Sequence, residues 1–302
     1  MNSNSKTTKK KIDLFGKRSM VIVVIGTMLL SYLIFMIFPI CYALVGSFFE
    51  WNPMIGTFNF LGLDNYKEAF TSPLMWKSLF NSIYFTVVVV FFRTILGLVF
   101  AILVNEVTKF KSFYRTVYYL PVVTSMVAVS LVWKIMYNPA FGIINQMLNA
   151  IGLPSLKWLQ DSVQAMPAVM LMTIWKDMGY AMVLFLAGLQ GIPKQCTEAA
   201  LIDGSSKIQT YWYITLPLLK NTTFFVVITS VISYLQTFTQ IFMLTEGGPG
   251  DATYTSVYLL YYEAFTKYRF GYASSISFIL FVVILVFSVF QVRANNKAEV
   301  SY

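Results

Sequence analysis

EAALIDGSSKIQTYWYITLP, residues Glu198 to Pro217, lies between two apolar runs and decides how the rest of the chain is read. Pro193 stands where a helix can begin, because a first-turn proline loses no helical hydrogen bond. Glu198, Ala199 and Ala200 follow, and a carboxylate near a helix start is favoured by the macrodipole. Gly204 predicts the stop, since a residue just past a helix end commonly adopts the left-handed conformation that glycine tolerates. Ser205 or Ser206 can cap a second helix carrying Ile208, Tyr211, Trp212 and Ile214 and ending near Leu216-Pro217. The expected product is a short helix–turn–helix with small residues exposed on one side. A partner's backbone can approach such a side closely, and Glu198 and Asp203 can fix its register by charge.

The surrounding composition is that of a membrane protein. Of 302 residues, 57% are hydrophobic and only 12% charged, with mean hydropathy +0.67. A soluble domain carries about 25% charged residues. Histidine is absent, which excludes imidazole metal sites and histidine acid–base catalysis. Cys41 and Cys196 fall at different expected depths, so two unpaired thiols are expected. Nothing in this set points to a bound metal or cofactor.

Outward from residue 198, six apolar spans are predicted, giving an all-α polytopic fold. Met20–Phe38 is 19 uncharged residues, too long for a signal h-region of roughly 7–15, so it reads as an uncleaved first span continuing past a bend at Pro39 towards Phe49. The others run about 81–104, 117–136, 166–190, 222–244 and 272–292. The polar connections are 50–76, 137–165 (rich in Asn, Gly and Pro) and 245–271, which opens with the turn Thr245-Glu246-Gly247-Gly248-Pro249-Gly250. This divides the chain into a basic tail 1–18, a membrane domain 19–292 containing the loop 191–221, and a short tail 293–302.

Six spans put both termini and the Glu198 loop on one side. That side carries fourteen Lys and Arg, the opposite loops four. By the positive-inside rule the termini and the loop are cytoplasmic, with the basic tail at the anionic inner leaflet. The net charge of +9 is therefore read as membrane topology and not as nucleic-acid binding. No G-x-x-x-x-G-K-[ST] pattern occurs, so the chain has no P-loop for nucleotide phosphates.

Ionisable residues inside spans are costly and point to function. Arg93 lies about twelve residues in from the outer end of its span and Asp177 about eleven, so at ~1.5 Å per residue their depths match. Either they pair directly or both line a hydrated cavity. Lys176 is expected to face solvent or a partner subunit, and Lys134 to snorkel at a span end. Ser230, Ser233, Tyr234 and Thr237 are spaced to share one helix face. Such a face is either helix–helix glue or the lining of a solute path, where hydroxyls and aromatic faces suit sugars.

Taken whole, Glu198-Ala199-Ala200, three residues, Gly204, nine residues, Ile214, one residue, Leu216-Pro217 resembles the cytoplasmic EAA loop of bacterial binding-protein-dependent ABC importer permeases. Tyr119-Leu120-Pro121, Asn138-Pro139-Ala140-Phe141-Gly142, Ala187-Gly188-Leu189-Gln190-Gly191-Ile192-Pro193 and Leu244-Thr245-Glu246-Gly247-Gly248-Pro249 resemble its oligosaccharide-uptake branch. The resemblance implies the type I importer permease fold in a bacterial cell membrane. It also implies a second homologous permease, an external solute-binding protein, a carbohydrate substrate, and a cytoplasmic ATPase dimer that holds ATP and Mg and receives the Glu198 loop. Sugar contacts carried over from the branch fall at Gly179, Ser230, Ser233, Tyr234 and Thr237; Tyr234 and Thr237 stand where the sugar-contacting maltose permease has asparagines. Glycerol-phosphate or another polar solute is the alternative cargo. An ion-coupled secondary transporter using Arg93 and Asp177 as its relay is the alternative of a different class, although no internal repeat of that class is visible.

Overall fold

The computed structural model describes residues 19–107 and 109–296; the expected basic tail 1–18 and the last residues of the terminal tail lie outside the described residues. Among the described residues, four helices are long and apolar enough to cross a membrane: α1 (Ser19–Gly46), α3 (Pro73–Glu106), α7 (Ala165–Gln190) and α13 (Phe270–Asn296). Two further apolar stretches are bent helix pairs. The third expected span is α4 (Lys111–Val123) and α5 (Met126–Met136), turned by 92°; the fifth, expected over 222–244, falls on α10 (Lys220–Leu235), which the chain enters by a 64° turn from α9 (Lys207–Leu218) of the Glu198 segment. Each expected apolar run falls on one of these helices or bent pairs, giving four to six candidate crossings. Hydropathy could not report the bends, because apolarity is the same on both sides of each break.

Where a bend was expected at Pro39, the first span instead runs on as one helix, Ser19–Gly46, with a π turn over Leu33–Ile37 ahead of the proline, whose ring has no N–H to give. The third span breaks at Thr124–Ser125. The fifth was expected to run to Leu244, but α10 stops at Leu235 and a short α11 (Thr239–Leu244) follows. Span two begins eight residues earlier than expected, at Pro73, where Ser72 Oγ accepts the Met75 N–H at 3.4 Å. Cys41 and Cys196 are free and exposed.

The connections expected to be loops carry structure of their own. Residues 49–60 form a two-stranded antiparallel hairpin, β1 (Phe49–Asn52) and β2 (Thr57–Phe60), with Phe49 opposite Phe60. Among the described residues this hairpin is the one sheet in a mostly helical chain. The hairpin is tied to α2 (Asp64–Thr71) by buried Asn65, whose amide donates to the Ser47 and Phe49 carbonyls at 2.9 and 3.0 Å. Segment 137–165 contains α6 (Ile143–Ala150) and folds around buried Asn145, which bonds Pro139, Leu156 and Trp158. The glycine turn at 245–250 leads to α12 (Ser256–Tyr261) and is clamped to the start of α3 by Lys77 to the Gly250 carbonyl at 3.0 Å. Asn81 adds bonds to the Ala252 and Tyr254 carbonyls at 3.2 and 2.9 Å. Arg269 joins Glu68 of α2 to buried Glu263. Burial opposes its charge, but the hydrogen bond and charge of Glu68, with Glu263, outweigh it and raise the guanidinium pKa.

α3 and α7 form the central pair. Lipid tails are as apolar as leucine, so helices in a membrane associate by close packing at small residues. Gly97 of α3 meets Ala181 of α7 so closely that a Cβ on the glycine would lie 2.5 Å from the alanine Cβ. Gly179 of α7 meets α4: a Cβ there would lie 2.0 Å from the Tyr118 carbonyl oxygen. The buried apolar residues form two separate clusters. Phe85, Val89, Val169, Met172 and Ile276 belong to one; Ala101, Val104, Ala181, Phe185 and Val226 to the other. Between them, on the same helices, lie Arg93, Lys176, Asp177 and Ser230. A polar layer divides the core.

Gly179→Ala should therefore destabilise the purified protein in detergent by about 1–3 kcal/mol, the usual cost of forcing atoms into a filled seam. Thermal denaturation measures it, with Gly26→Ala as the control, because nothing lies within 4 Å of a Cβ at that position.

Candidate functional site

The Glu198 segment folds largely as its residues predict. α8 (Lys194–Ile202) starts one residue after Pro193, which is the N-cap and not the first helical residue. It ends with Asp203 as C-cap and Gly204 at φ +83°. The Ser205 N–H reaches back to the Ala200 carbonyl at 3.0 Å and the Gly204 N–H to the Leu201 carbonyl at 3.1 Å, the two bonds of a Schellman turn. Ser206 then caps α9 reciprocally with Gln209: its Oγ accepts the Gln209 N–H at 3.3 Å, and its own N–H donates to Gln209 Oε1 at 2.8 Å.

Exposure sorts the expected contact residues. Glu198, Ala199, Asp203, Gly204 and Pro217 are exposed, Ile214 and Leu216 are half-buried, and Ala200 is buried at the turn. So the small-residue side is real at Ala199 but closed at Ala200. The larger exposed surface is apolar: Ile202, Ile208, Trp212 and Tyr213 are 85, 71, 65 and 79% exposed. The segment is held to the bundle by Glu106, the last residue of α3. Its carboxylate takes Lys207 Nζ at 3.1 Å and the Tyr211 hydroxyl at 2.9 Å. Sequence reasoning missed this tie. The available signal was that Glu106 is the one carboxylate between Glu68 and Asp161.

The second site is the polar layer at mid-span. Arg93 is 5% exposed and does lie beside Asp177, as matched depth predicts, but the direct ion pair is not formed. Arg93 Nε donates to the backbone carbonyl of Asp177 at 3.0 Å, a guanidinium nitrogen donates to Ser230 Oγ, and the guanidinium stacks on the Tyr180 and Tyr234 rings at 5.3 and 5.6 Å. The carboxylate of Asp177 instead takes the Tyr234 hydroxyl at 2.9 Å on one oxygen and Lys176 at 3.5 Å on the other. The reason is stereochemical. α7 presents a main-chain oxygen to α3, while the side chain of Asp177 turns toward α10.

Lys176 corrects a second expectation. It faces neither solvent nor a free surface but is 5% exposed, with Nζ 3.1 Å from the Val122 carbonyl at the broken end of α4. The four-residue stripe on the fifth span is also split. Ser230 and Tyr234 face the polar layer. Ser233 is exposed and bonds only its own helix, to the Thr229 carbonyl at 2.9 Å. Thr237 lies beyond the end of α10, buried, with Gln240 donating to its hydroxyl and Thr255 to its carbonyl. The shared face was inferred from a continuous helix, and the helix stops two residues before Thr237. Gly179 serves the α4 seam described above. The layer is open on one side, where the Asp177 side chain is 19% and Tyr180 37% exposed.

Two outcomes follow for the polar layer. Tyr234→Phe leaves an Asp177 oxygen without its donor and should lower stability by about 1.5–3 kcal/mol in a detergent melt. Exchanging Arg93→Asp with Asp177→Arg should restore nothing that either single change removes in a transport assay, because the guanidinium serves a carbonyl and a hydroxyl and not the carboxylate.

Comparison with known proteins agrees with this architecture. The family described as binding-protein-dependent transport system inner membrane component matches residues 93–299. The probable ABC transporter permease protein YurN of Bacillus subtilis (strain 168) is 36% identical over 268 residues, 87% of this chain and 92% of that protein. The trehalose/maltose transport system permease protein MalF of Thermococcus litoralis is 36% identical over 78% of this chain and 80% of its own. A chain from the crystal structure of a bacterial ABC transporter involved in importing the acidic polysaccharide alginate superposes with TM-score 0.83 over 95% of this chain and 99% of that one. At 21% identity, that likeness bears on the fold. On the family match and these relatives, this chain belongs to the inner-membrane permease components of binding-protein-dependent transport systems.

Proposed function

We propose that the chain is one of two transmembrane subunits of an ATP-driven importer for carbohydrate, with an oligosaccharide as the preferred cargo. The observation that carries the coupling half of this reading is the prefolded helix–turn–helix at 194–218, presenting Ile202, Ile208, Trp212 and Tyr213 to solvent while Glu106 ties it to α3. An apolar surface of this kind on the lysine-rich side fits a cytoplasmic ATPase dimer, to which ATP and Mg belong; this chain supplies neither a P-loop nor a cofactor. Both termini are then cytoplasmic. A second, homologous permease and an external solute-binding protein complete the assembly. Carbohydrate as cargo is supported by the trehalose/maltose transport system permease MalF among the relatives.

Transport requires that ATP and the loaded binding protein both favour the outward-facing arrangement over the inward one, since a ligand shifts an equilibrium only by its differential affinity. ATP-driven closure of the ATPase dimer moves the Glu198 loop, and Glu106 passes that movement to α3 and so to Arg93. The solute passes along the open side of the polar layer, with Ser233, Tyr234 and Asp177 at its edge and Ser230, Thr237 and Gly179 holding the helices behind it.

Gly204→Val tests the reading, because a β-branched residue is strained at φ +83° and the turn must deform. In proteoliposomes holding the whole complex, ATP-dependent uptake of a labelled oligosaccharide should fall by about tenfold or more, the size of a typical coupling free energy. Antibody detection should show the chain still inserted. Purification of the unmodified chain with no ATPase, or uptake driven by a sodium or proton gradient without ATP, would count against the proposal; uptake of glycerol-phosphate in preference to saccharides would replace the cargo alone.

A further inference from the structure

The buried ammonium of Lys176 has no part in the coupling scheme above, yet a charge at mid-span is retained only where it does something. Its surroundings say what. α4 ends at Val123 and the chain turns by 92° into α5, so the last carbonyls of α4 lose the amides that a continuous helix would supply. Thr124 Oγ1 donates to the Pro121 carbonyl at 2.6 Å, and Lys176 Nζ donates to the Val122 carbonyl at 3.1 Å. The bond to carbonyl oxygen is shorter than the 3.5 Å approach to Asp177, whose other oxygen is already taken by Tyr234.

Lys176 and Gly179 are successive contacts of one antiparallel seam. Gly179 of α7 lies against Tyr118 of α4; one turn further along α4 and one turn back along α7, Lys176 meets Val122. The glycine brings the two backbones together and the lysine closes the end. The device recurs: Lys134 Nζ reaches the Met243 carbonyl near the end of α11 at 3.2 Å, and Lys111 Nζ the Asn105 carbonyl near the end of α3 at 3.2 Å. Cations are favoured at these negative helix ends.

We propose that Lys176 is a positioning residue for transport: its ammonium caps the broken carbonyl end of α4 and pins the α4–α5 elbow to α7, so that elbow and span move as one piece. This rests on the importer reading, whose own failure would show first, as an unmodified complex without ATP-driven uptake. The capping itself is also read without transport, as the melting temperature of the purified chain.

Lys176→Ala removes the atoms of n-propylammonium, and that cation is the probe. In the full complex, Lys176→Ala should lower uptake by about tenfold or more, the range of a coupling free energy, with ATP hydrolysis less affected. Added n-propylammonium should recover both uptake and melting temperature; tetramethylammonium, which has charge but no N–H to donate, should recover neither. Lys176→Arg should keep most of the uptake and Lys176→Met should lose it. Equal recovery by tetramethylammonium, no recovery by propylammonium, or rescue of Lys176→Met by adding Asp177→Asn would overturn the proposal, the first and last in favour of simple charge balance. If Lys176→Ala does not assemble, Arg against Met decides, and equal uptake by those two overturns it.

Discussion

Hydrocarbon offers no hydrogen bonds, so every main-chain amide and carbonyl at membrane depth must find its partner within the protein. A straight helix meets that demand without help. This chain breaks its third expected span at a 92° elbow and stops α10 at Leu235, and each break leaves carbonyls that neighbouring side chains have to meet. Val122 is served by Lys176 and Pro121 by Thr124. At the interruption after α10, Thr255 serves the carbonyl of Thr237. Much of the polar chemistry inside the bundle follows from where the chain stops being helical.

The same demand explains why the core is divided. Arg93, Lys176, Asp177, Ser230 and Tyr234 are mutually satisfied through main-chain and side-chain bonds, and none of the three charged groups depends on one ion pair. A layer of this kind separates two apolar clusters that can each pack tightly. Clusters joined by polar contacts can shift relative to one another by exchanging bonds, whereas a continuous jigsaw of leucine and phenylalanine resists sliding. α3 passes through both clusters and the layer, and ends at Glu106 on the capped loop. It is the element that links the two candidate sites.

Much of this was legible in the sequence, and what was illegible has physical reasons. Apolar runs located the candidate crossings because burial in lipid leaves a compositional mark. The 194–218 segment was legible almost residue by residue, since glycine at C′ and serine at N-cap act through bonds a few residues long. The bend at Thr124–Ser125 and the end of α10 at Leu235 were not, because polar residues in an apolar run fit an intact helix equally well. Equal depth brought Arg93 to Asp177 but could not say which oxygen it would meet. Lys176 was misplaced for a related reason: its partner is a backbone carbonyl on another helix, and no side-chain pattern marks that.

The Schellman turn and the capping box close entirely within residues 200–210. The turn between α8 and α9 is closed by bonds among its own residues, and Glu106 only adds the tie to α3. The helix pair is in effect a cassette: under the importer reading proposed above, its outward face can change with its mate while its shape stays put, and the bundle can change with its cargo without reshaping the plug. Two demands that would otherwise collide are thereby kept on separate stretches of chain.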